Sequence, residues 1–247
     1  VIYVCIPAHN EAATLGVLIW KTRKVMGEFG RDFRIVVHDD ASTDDTPQVL
    51  ARYQRVLPLT LLRSDTRVGY ARSVEKLLRH VQAHATYPKR DCAVVMQGDF
   101  SEDPEDVVAL VKAIEGGADI VSATVPMGQE ALPRGMRVVR WFARKLLRGG
   151  VISSVSDPLV GLRAYRVIVL KKALRDRPEP LVTSEGWAAN VELLGRLVPH
   201  ARRIGEVPLE ARRSKRVRPS RFRTWPTLIS VLKVRGSLSR APRPAAA

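Results

Sequence analysis

The stretch CAVVMQGDFSEDPEDVVALVKAI, residues 92–114, decides how this chain folds. Its opening, Cys92 to Met96, is a continuous apolar run, the pattern of a strand buried on both faces of a sheet. Its later part starts with Asp103-Pro104, a capping acid and a first-turn proline, and continues as a helix through Ile114. Between the two lies an acid-bearing loop, Gln97 to Asp103. A buried strand that feeds a helix is the repeating step of a parallel sheet, so the flanking chain should alternate in the same way.

It does so on both sides. Upstream, Val1–Ile6, Arg34–His38 and Leu59–Leu62 read as strands. Helices are expected from Glu11 to about Glu28, from about Asp45, and from Tyr70 to about Ala85. Downstream, Ile120–Thr124 is another strand. The expected fold class is α/β, a Rossmann-like domain with a mostly parallel central sheet flanked by helices. No internal repeat is visible. At 247 residues one such domain is enough. It is expected over 1–212, including a helix at 134–148, with a basic extension over 213–247 that ends flexibly.

In open sheets of this kind, ligands bind beyond the carboxyl ends of the strands. Three loops fall there: Pro7 to Glu11, Asp39 to Asp45, and Gln97 to Asp103. Their acids would repel one another unless a cation or a hydrogen-bonding ligand offsets them. A divalent metal, Mg²⁺ or Mn²⁺, with a diphosphate is the economical partner, because hard cations take oxygen ligands. Asp44, Asp45 and Asp103 read as helix caps, whereas Asp40 and Asp99 follow strands and are site candidates.

Charge sets a second constraint. The chain carries 41 Lys+Arg against 25 Asp+Glu, a net +16. From residue 201 onward there are thirteen Lys/Arg against Glu206 and Glu210, a net +11. Such a segment seeks phosphate in nucleic acid, anionic lipid or a phosphorylated substrate. Nothing resembling a nucleic-acid recognition motif or stacking platform accompanies the arginines, so no nucleic-acid partner is expected. No apolar run approaches the roughly 18–20 residues of a membrane-spanning helix. Val1–Ile6 reads as a strand with no charged leader ahead of it, so no signal peptide is expected. Cys5 and Cys92 lie in strand-like runs and read as buried free thiols, which suits a reducing cytoplasm.

Four blocks, in order, carry a family resemblance. IPAHNEAATL (6–15) resembles an opening strand with its Asn-Glu turn, and VVHDDASTDDT (36–46) resembles a nucleotide-holding Asp-Asp block. VVMQGDFSEDPED (94–106) resembles a strand ending in a metal-binding Asp-x-Asp. DPLVGLRAY (157–165), with the later EGWAANVELLGR and IGEVPLEAR, resembles a downstream signature and final strand. Together they are similar to family 2 glycosyltransferases of the GT-A fold, and within them to the dolichyl- and polyprenyl-phosphate mannose synthase-like group.

The resemblance implies that Pro7, Ala8 and Glu11 line a nucleotide pocket. It implies that Asp40 contacts the base with Asp39 beside it, and that Asp99 ligates the metal bridging the diphosphate. Gln97, Gly98, Arg213 and Lys215 join the donor-binding set, and Gln97 and Ser101 join Asp99 as metal ligands. A metal is expected to stabilise the leaving diphosphate as a Lewis acid. Three departures accompany these matches. Gln97 stands where the family has the first acid of Asp-x-Asp, Ser101 where the synthases have a metal-touching glutamine, and Thr124 where they have an arginine near the acceptor phosphate.

Asp157 reads either as a carboxylate near the acceptor or as a turn former before Pro158. Asp157 and Arg163 are set beside Asp99 as catalytic candidates, with Gly161 and Arg163 matching the family's Gly-Phe-Arg-Ala. Glu185 and Trp187 open a helix on the expected acceptor side, where Glu185 could serve only as a helix-terminal charge. Arg137, Arg140, Arg144 and Arg148 recur on one stripe of a helix, with Trp141 near it and Val138, Val139, Phe142 and Leu146 opposite. A basic amphipathic helix with an aromatic residue is what an interfacial helix requires. Over 221–235, Trp225, Leu228, Ile229 and Leu232 share one face. Both segments occupy places where the synthases carry membrane-interface helices.

The expected function is therefore inverting transfer of a sugar from a GDP- or UDP-sugar to a polyprenyl-phosphate acceptor. The enzyme is expected in the cytoplasm, held peripherally on an anionic membrane surface. The alternatives are a family 2 transferase acting on a hydroxyl acceptor, a catalytically silent transferase suggested by Gln97, and a basic nucleic-acid-binding module.

Overall fold

The computed structural model describes residues 1–124, 134–147, 155–175, 180–209 and 224–240. Strands and helices alternate along the chain: β1 (Ile2–Ala8), α1 (Ala12–Phe29), β2 (Phe33–Asp40), α2 (Thr46–Gln54), β3 (Leu59–Ser64) and α3 (Tyr70–His84). They continue as β4 (Cys92–Val95), α4 (Pro104–Glu115), β5 (Ile120–Thr124), α5 (Arg134–Leu147), β6 (Arg163–Arg166) and α6 (Val167–Leu174). The chain closes with α7 (Trp187–Leu197), a 3₁₀ turn (Val198–His200), β7 (Ile204–Pro208) and α8 (Thr224–Arg240).

The seven strands form one sheet in the order β3-β2-β1-β4-β6-β5-β7. Every neighbouring pair is parallel except the two made by β6, which runs antiparallel between β4 and β5. The expected mostly parallel α/β sheet is what forms. All seven residues of β1 are buried, as its continuous apolar run requires of a central strand covered by helices on both faces. One core lies between the sheet and α1, α2 and α4; the other lies under α3, α6, α7 and α8. Cys5 and Cys92 are buried and free, on the adjacent strands β1 and β4.

Helix ends follow local chemistry. Asp103 caps α4 by accepting from the Glu105 N–H at 3.0 Å, with Pro104 in the first turn, and Lys21 of α1 pairs with the same carboxylate at 2.8 Å. α8 packs against α5 and α7. It approaches α7 closely at Gly195, where a Cβ would collide with the Leu238 side chain. The 213–247 extension therefore sends at least α8 back onto the α/β body.

Candidate active site

Three loops meet at the carboxyl edge formed by β2, β1 and β4. Parallel register places Ala8 beside Asp39 and Cys5 beside Val95, so the chain leaves all three strands on the same side. Each loop turns through a left-handed residue that is not glycine: Asn10, Ala41 and Phe100. Such residues are the only non-glycine ones with positive φ among the described residues. The conformation costs alanine and phenylalanine on the order of 1–2 kcal/mol each, and strain of this sort collects at functional sites.

Hydrogen bonds tie the loops together. The Ser42 and Thr46 hydroxyls accept from the Asn10 and Glu11 N–H groups at 3.0 and 2.9 Å, and Asn10 Oδ1 accepts from the Thr43 N–H at 2.8 Å. Thr14 donates to the Gly98 carbonyl at 2.9 Å, joining the first loop to the third. His9 Nδ1 lies 2.7 Å from the Asp40 carbonyl oxygen. Pro7, Ala8 and Glu11 are all buried at this junction. The donor-side residues expected from sequence are thus brought together, apart from Arg213 and Lys215, which lie outside the described residues.

Asp39 and Asp40 point different ways. Asp39 is fully buried; it accepts from the Ser42 N–H at 3.1 Å and lies 3.6 Å from Arg63 of β3. Asp40 accepts the Val68 N–H on one oxygen at 2.6 Å and the Gly69 N–H on the other at 2.8 Å. It therefore pins the loop that launches α3, a contact that sequence reading missed, although Gly69 directly before the helix marked a turn there. Each carboxylate oxygen retains a further lone pair for a ligand.

Asp99 is buried and accepts from the Ser101 N–H at 3.0 Å. The left-handed Phe100 then swings the chain back, so that Glu102 accepts from the Gln97 N–H at 2.7 Å. A Cβ at Gly161 would sit 3.0 Å from Gln97 Nε2, 3.3 Å from Glu102 Oε1 and 3.4 Å from the Tyr70 hydroxyl. Glycine is what lets the 157–165 block close over these polar groups. The Tyr70 hydroxyl donates to Asn190 of α7 at 2.9 Å, and burial keeps it protonated by pushing its pKa up. Glu102, Tyr70 and Asn190 escaped the sequence reading; Glu102 lay within the acidic loop, and a polar Asn190 amid apolar residues was the only other signal.

Among the described residues no three His, Cys, Asp or Glu gather to hold a metal. Asp99, with the neutral oxygens of Gln97 and Ser101 nearby in the chain, is a one-carboxylate donor set. That chemistry fits Mg²⁺ or Mn²⁺, which are commonly held by one or two carboxylates together with substrate phosphates.

The acceptor side departs furthest from expectation. Arg163, expected as catalytic, is wholly buried. It donates to the Asn190 carbonyl at 2.7 Å, the Pro158 carbonyl at 2.5 Å and Ser122 Oγ at 3.2 Å. Its guanidinium is spent on backbone oxygens, so it braces the core. Asp157 is also buried, accepts from the Leu159 N–H at 3.2 Å and forms an ion pair with Arg140. The Leu159 bond is the turn contact that sequence suggested, and the second oxygen is taken up by Arg140.

The arginine stripe on α5 is likewise redirected. Val139 and Ala143 form its buried stripe, Arg140 turns in to Asp157, and Arg144 donates to the Ser156 carbonyl at 2.5 Å. Arg137 stays exposed, and Arg148 lies outside the described residues. The outward face instead carries Val138, Trp141 and Phe142, with Trp141 55% exposed and Lys145 over its ring. On α8, Trp225 is 76% exposed and Ile229 and Leu232 about half, whereas Leu228, expected on the same face, packs against the core. Trp187 is half-buried at the start of α7, and Glu185 is exposed just before it.

A mostly parallel sheet whose switch-point edge carries tied acidic loops defines an α/β protein with a ligand crevice at that edge. Residues 3–174 match the profile of Glycosyl transferase family 2, and the chain belongs to that family. It is 28% identical over 183 residues to the undecaprenyl-phosphate 4-deoxy-4-formamido-L-arabinose transferase of Edwardsiella ictaluri, covering 69% of this chain and 50% of that protein. The protein of the same name from Pseudomonas fluorescens is 25% identical over 178 residues, covering 70% and 49%. The chain thus spans about half the length of these relatives. Among solved structures, glucosyl-3-phosphoglycerate synthase from Mycobacterium tuberculosis, in complex with Mn²⁺, UDP and glucosyl-3-phosphoglycerate, superposes with a TM-score of 0.62 at 22% identity, covering 95% of this chain and 79% of that one. TarS of S. aureus in complex with UDP gives 0.55 at 21% identity, covering 83% and 57%. These likenesses establish the GT-A fold.

Proposed function

We propose that the protein transfers a sugar from a nucleotide-sugar donor to a polyprenyl-phosphate acceptor, with inversion, at the surface of an anionic membrane. One observation supports the acceptor class: the buried carboxylates of the described acceptor side, the sheltered candidates for a catalytic base, are already engaged. Asp157 is paired with Arg140, and Glu192 is buried and accepts from the Thr183 and Ser184 N–H groups at 3.0 and 2.8 Å. A hydroxyl acceptor needs such a base. A phosphate monoester, with a second pKa near ~6, is already ionised and needs only placement. The names of the relatives, which are undecaprenyl-phosphate sugar transferases, support the same class.

In this reading the tied loops of β1 and β2 receive the nucleotide, with Pro7, Ala8 and Glu11 along it and Asp40 towards the base. Asp99, with Gln97 and Ser101, would hold a divalent cation, which would supply Lewis-acid stabilisation of the leaving diphosphate. The neighbour solved with Mn²⁺ and UDP supports a metal of this kind. The acceptor phosphate attacks the anomeric carbon in line, from the side opposite the diphosphate. Arg137, Arg213 and Lys215 supply positive charge for its placement.

No helix among the described residues is long and apolar enough to cross a membrane. The outward aromatic faces of α5 and α8 instead support seating the enzyme on the bilayer from one side. Domain bounds of 1–212 and 213–247 keep the donor-side loops in the first, and Arg213, Lys215 and the second membrane-facing helix in the second. The test is incubation with labelled GDP- and UDP-sugars and a short polyprenyl phosphate, with Mn²⁺ or Mg²⁺. Label in the lipid phosphate is expected. Transfer only to a plain hydroxyl acceptor, with a steep loss in Glu185→Gln, would replace this reading with the hydroxyl-acceptor one.

A further inference from the structure

Resting on that reading of the acceptor side, we infer that Asp157 is a positioning residue: through Arg140 it sets which face of α5 looks outward. The α5 sequence allows two rotations about its axis. In one, Arg137, Arg140 and Arg144 face solvent and Val138 and Phe142 pack inward. In the other, the arginines at 140 and 144 turn in and Val138, Trp141 and Phe142 face out. Hydrophobic burial alone favours the first, because it hides more apolar surface. The protein adopts the second.

What tips the balance is charge beneath the helix. Asp157 is 1% exposed, with one oxygen on the Leu159 N–H and the other paired with Arg140, whose side chain is 14% exposed. A buried carboxylate left without its cation costs about 3–5 kcal/mol, whereas Val138 and Phe142 are only 54% and 39% exposed, so each forgoes just part of the roughly 1.5–3 kcal/mol of full burial. One turn on, Arg144 takes the Ser156 carbonyl, and the Ser156 N–H and hydroxyl both donate to Glu206 of β7, at 2.6 and 2.8 Å. Arg163 holds the Asp157 and Pro158 carbonyls from the other side. The 156–158 segment is therefore fixed by contacts that do not involve α5, and the rotation of α5 matches it. The apolar face proposed to meet the membrane is outward because Asp157 is where it is.

A thiol placed at position 142 reads the rotation directly, since Cys5 and Cys92 are buried. In an otherwise wild-type Phe142→Cys background, the new thiol should label rapidly with a maleimide. Asp157→Asn, Arg140→Met and the pair together should each slow labelling by on the order of tenfold, the double no more than the worse single, as coupled residues behave. The same three substitutions in the Phe142 protein should raise KM for vesicle-borne polyprenyl phosphate by a similar factor, with a smaller change in kcat. Arg140→Lys keeps the charge and should restore both readouts, and it carries the test if the neutral variants do not fold. Additive effects in the double, or Arg140→Lys behaving like Arg140→Met, would overturn the inference. So would loss of kcat in Asp157→Asn with Arg140→Met active, the mark of a base. If the wild type gives no transfer to the lipid phosphate, the acceptor reading fails while the labelling series still judges the ion pair.

Discussion

The β1–β2–β4 edge and the α5–α8 face are both rich in charge, and they spend it in opposite ways. At the strand edge, Asp39, Asp40, Asp99 and Glu102 each accept from N–H groups within their own or a neighbouring loop. The carboxylates shape the loops that carry them. Across α5, Arg140 instead finds its ion partner outside its own helix, at Asp157, Glu206 of β7 holds Ser156, and the apolar side chains are left outside. Acids that mostly accept from N–H groups of their own loop are legible as a motif, and an ion pair between a helix and a separate segment is not.

The sharpest way to break the comparison is at Asp99. If the strand-edge acids serve the reaction and do more than shape loops, Asp99→Asn should lower turnover about a hundredfold or more, the scale of losing a principal electrostatic stabiliser. Excess EDTA should do the same to the wild type. Full activity in EDTA would reduce the acidic edge to architecture.

The α5–α8 face is tested by its aromatics. Arg140→Glu and Arg144→Glu would disrupt contacts to Asp157 and Ser156, so they cannot report on lipid. Trp141→Ser and Trp225→Ser remove exposed rings and should leave the fold intact. Each should weaken retention on anionic vesicles about tenfold, given roughly 1.5–3 kcal/mol for burying a large apolar side chain. Arg137→Gln should weaken it less, near the ~1 kcal/mol of one basic residue at such a surface. Wild-type protein that ignores these vesicles at low salt would remove the membrane from the reading.

How much could be read beforehand follows from the same contrast. Val1–Ile6 and Cys92–Met96 carry continuous apolar runs and their neighbours short apolar stretches, so the strands and the edge they present were plain. β6 was not: Arg163-Ala164-Tyr165-Arg166 has a charge at each end, and it pairs with β4 and β5 while its Arg163 is buried against backbone carbonyls. The periodicity of α5 correctly marked an amphipathic helix. Val139 and Leu146 do pack inward, but Val138 and Phe142 look outward, because hydrophobic pattern ranks arginine as outward and the decisive partner, Asp157, lies beyond the helix itself.

A smaller effect is expected at Gln97. The missing acid of Asp-x-Asp suggests that Gln97→Asp would be tolerated and would tighten metal binding. The structure adds Glu102 beside it, so a new carboxylate meets a like charge in a partly buried place. The metal-free variant should lose on the order of 1 kcal/mol, or about 2–4 °C of melting temperature for a chain this size. Gln97→Asp with Glu102→Gln should recover it, and Mn²⁺ should narrow the gap in the single variant. A melting temperature unchanged by Gln97→Asp would show that Glu102 does not feel position 97.

The mildest expectation is a stepped acid limb of stability, with one step on each side of the comparison. Burial lowers the pKa of His38, which sits under the strand edge 3.0 Å from the Ser64 hydroxyl, and the nearby Lys76 lowers it further. The folded state thus holds His38 neutral where the unfolded chain would protonate it. Its contribution is full above the unfolded value of ~6.5 and is lost as pH falls from there towards the folded value. Glu192, on the acceptor side, behaves as a depressed carboxylate. Burial alone would raise its pKa, but hydrogen bonds from Ser184 and Thr183 and the Arg196 guanidinium together outweigh that and hold it below the ordinary range. Its contribution is full above the unfolded value of ~4.3 and is lost as pH falls through the folded value. Melting temperature measured from pH 8 downward should therefore begin to sag below about 6.5 and fall again below about 4.3. Glu192→Gln should lower stability near neutrality and flatten only the second step. If both steps survive in Glu192→Gln, the acid sensitivity belongs to other carboxylates, and the buried clamp on the Thr183–Ser184 segment is weaker than its hydrogen bonds imply.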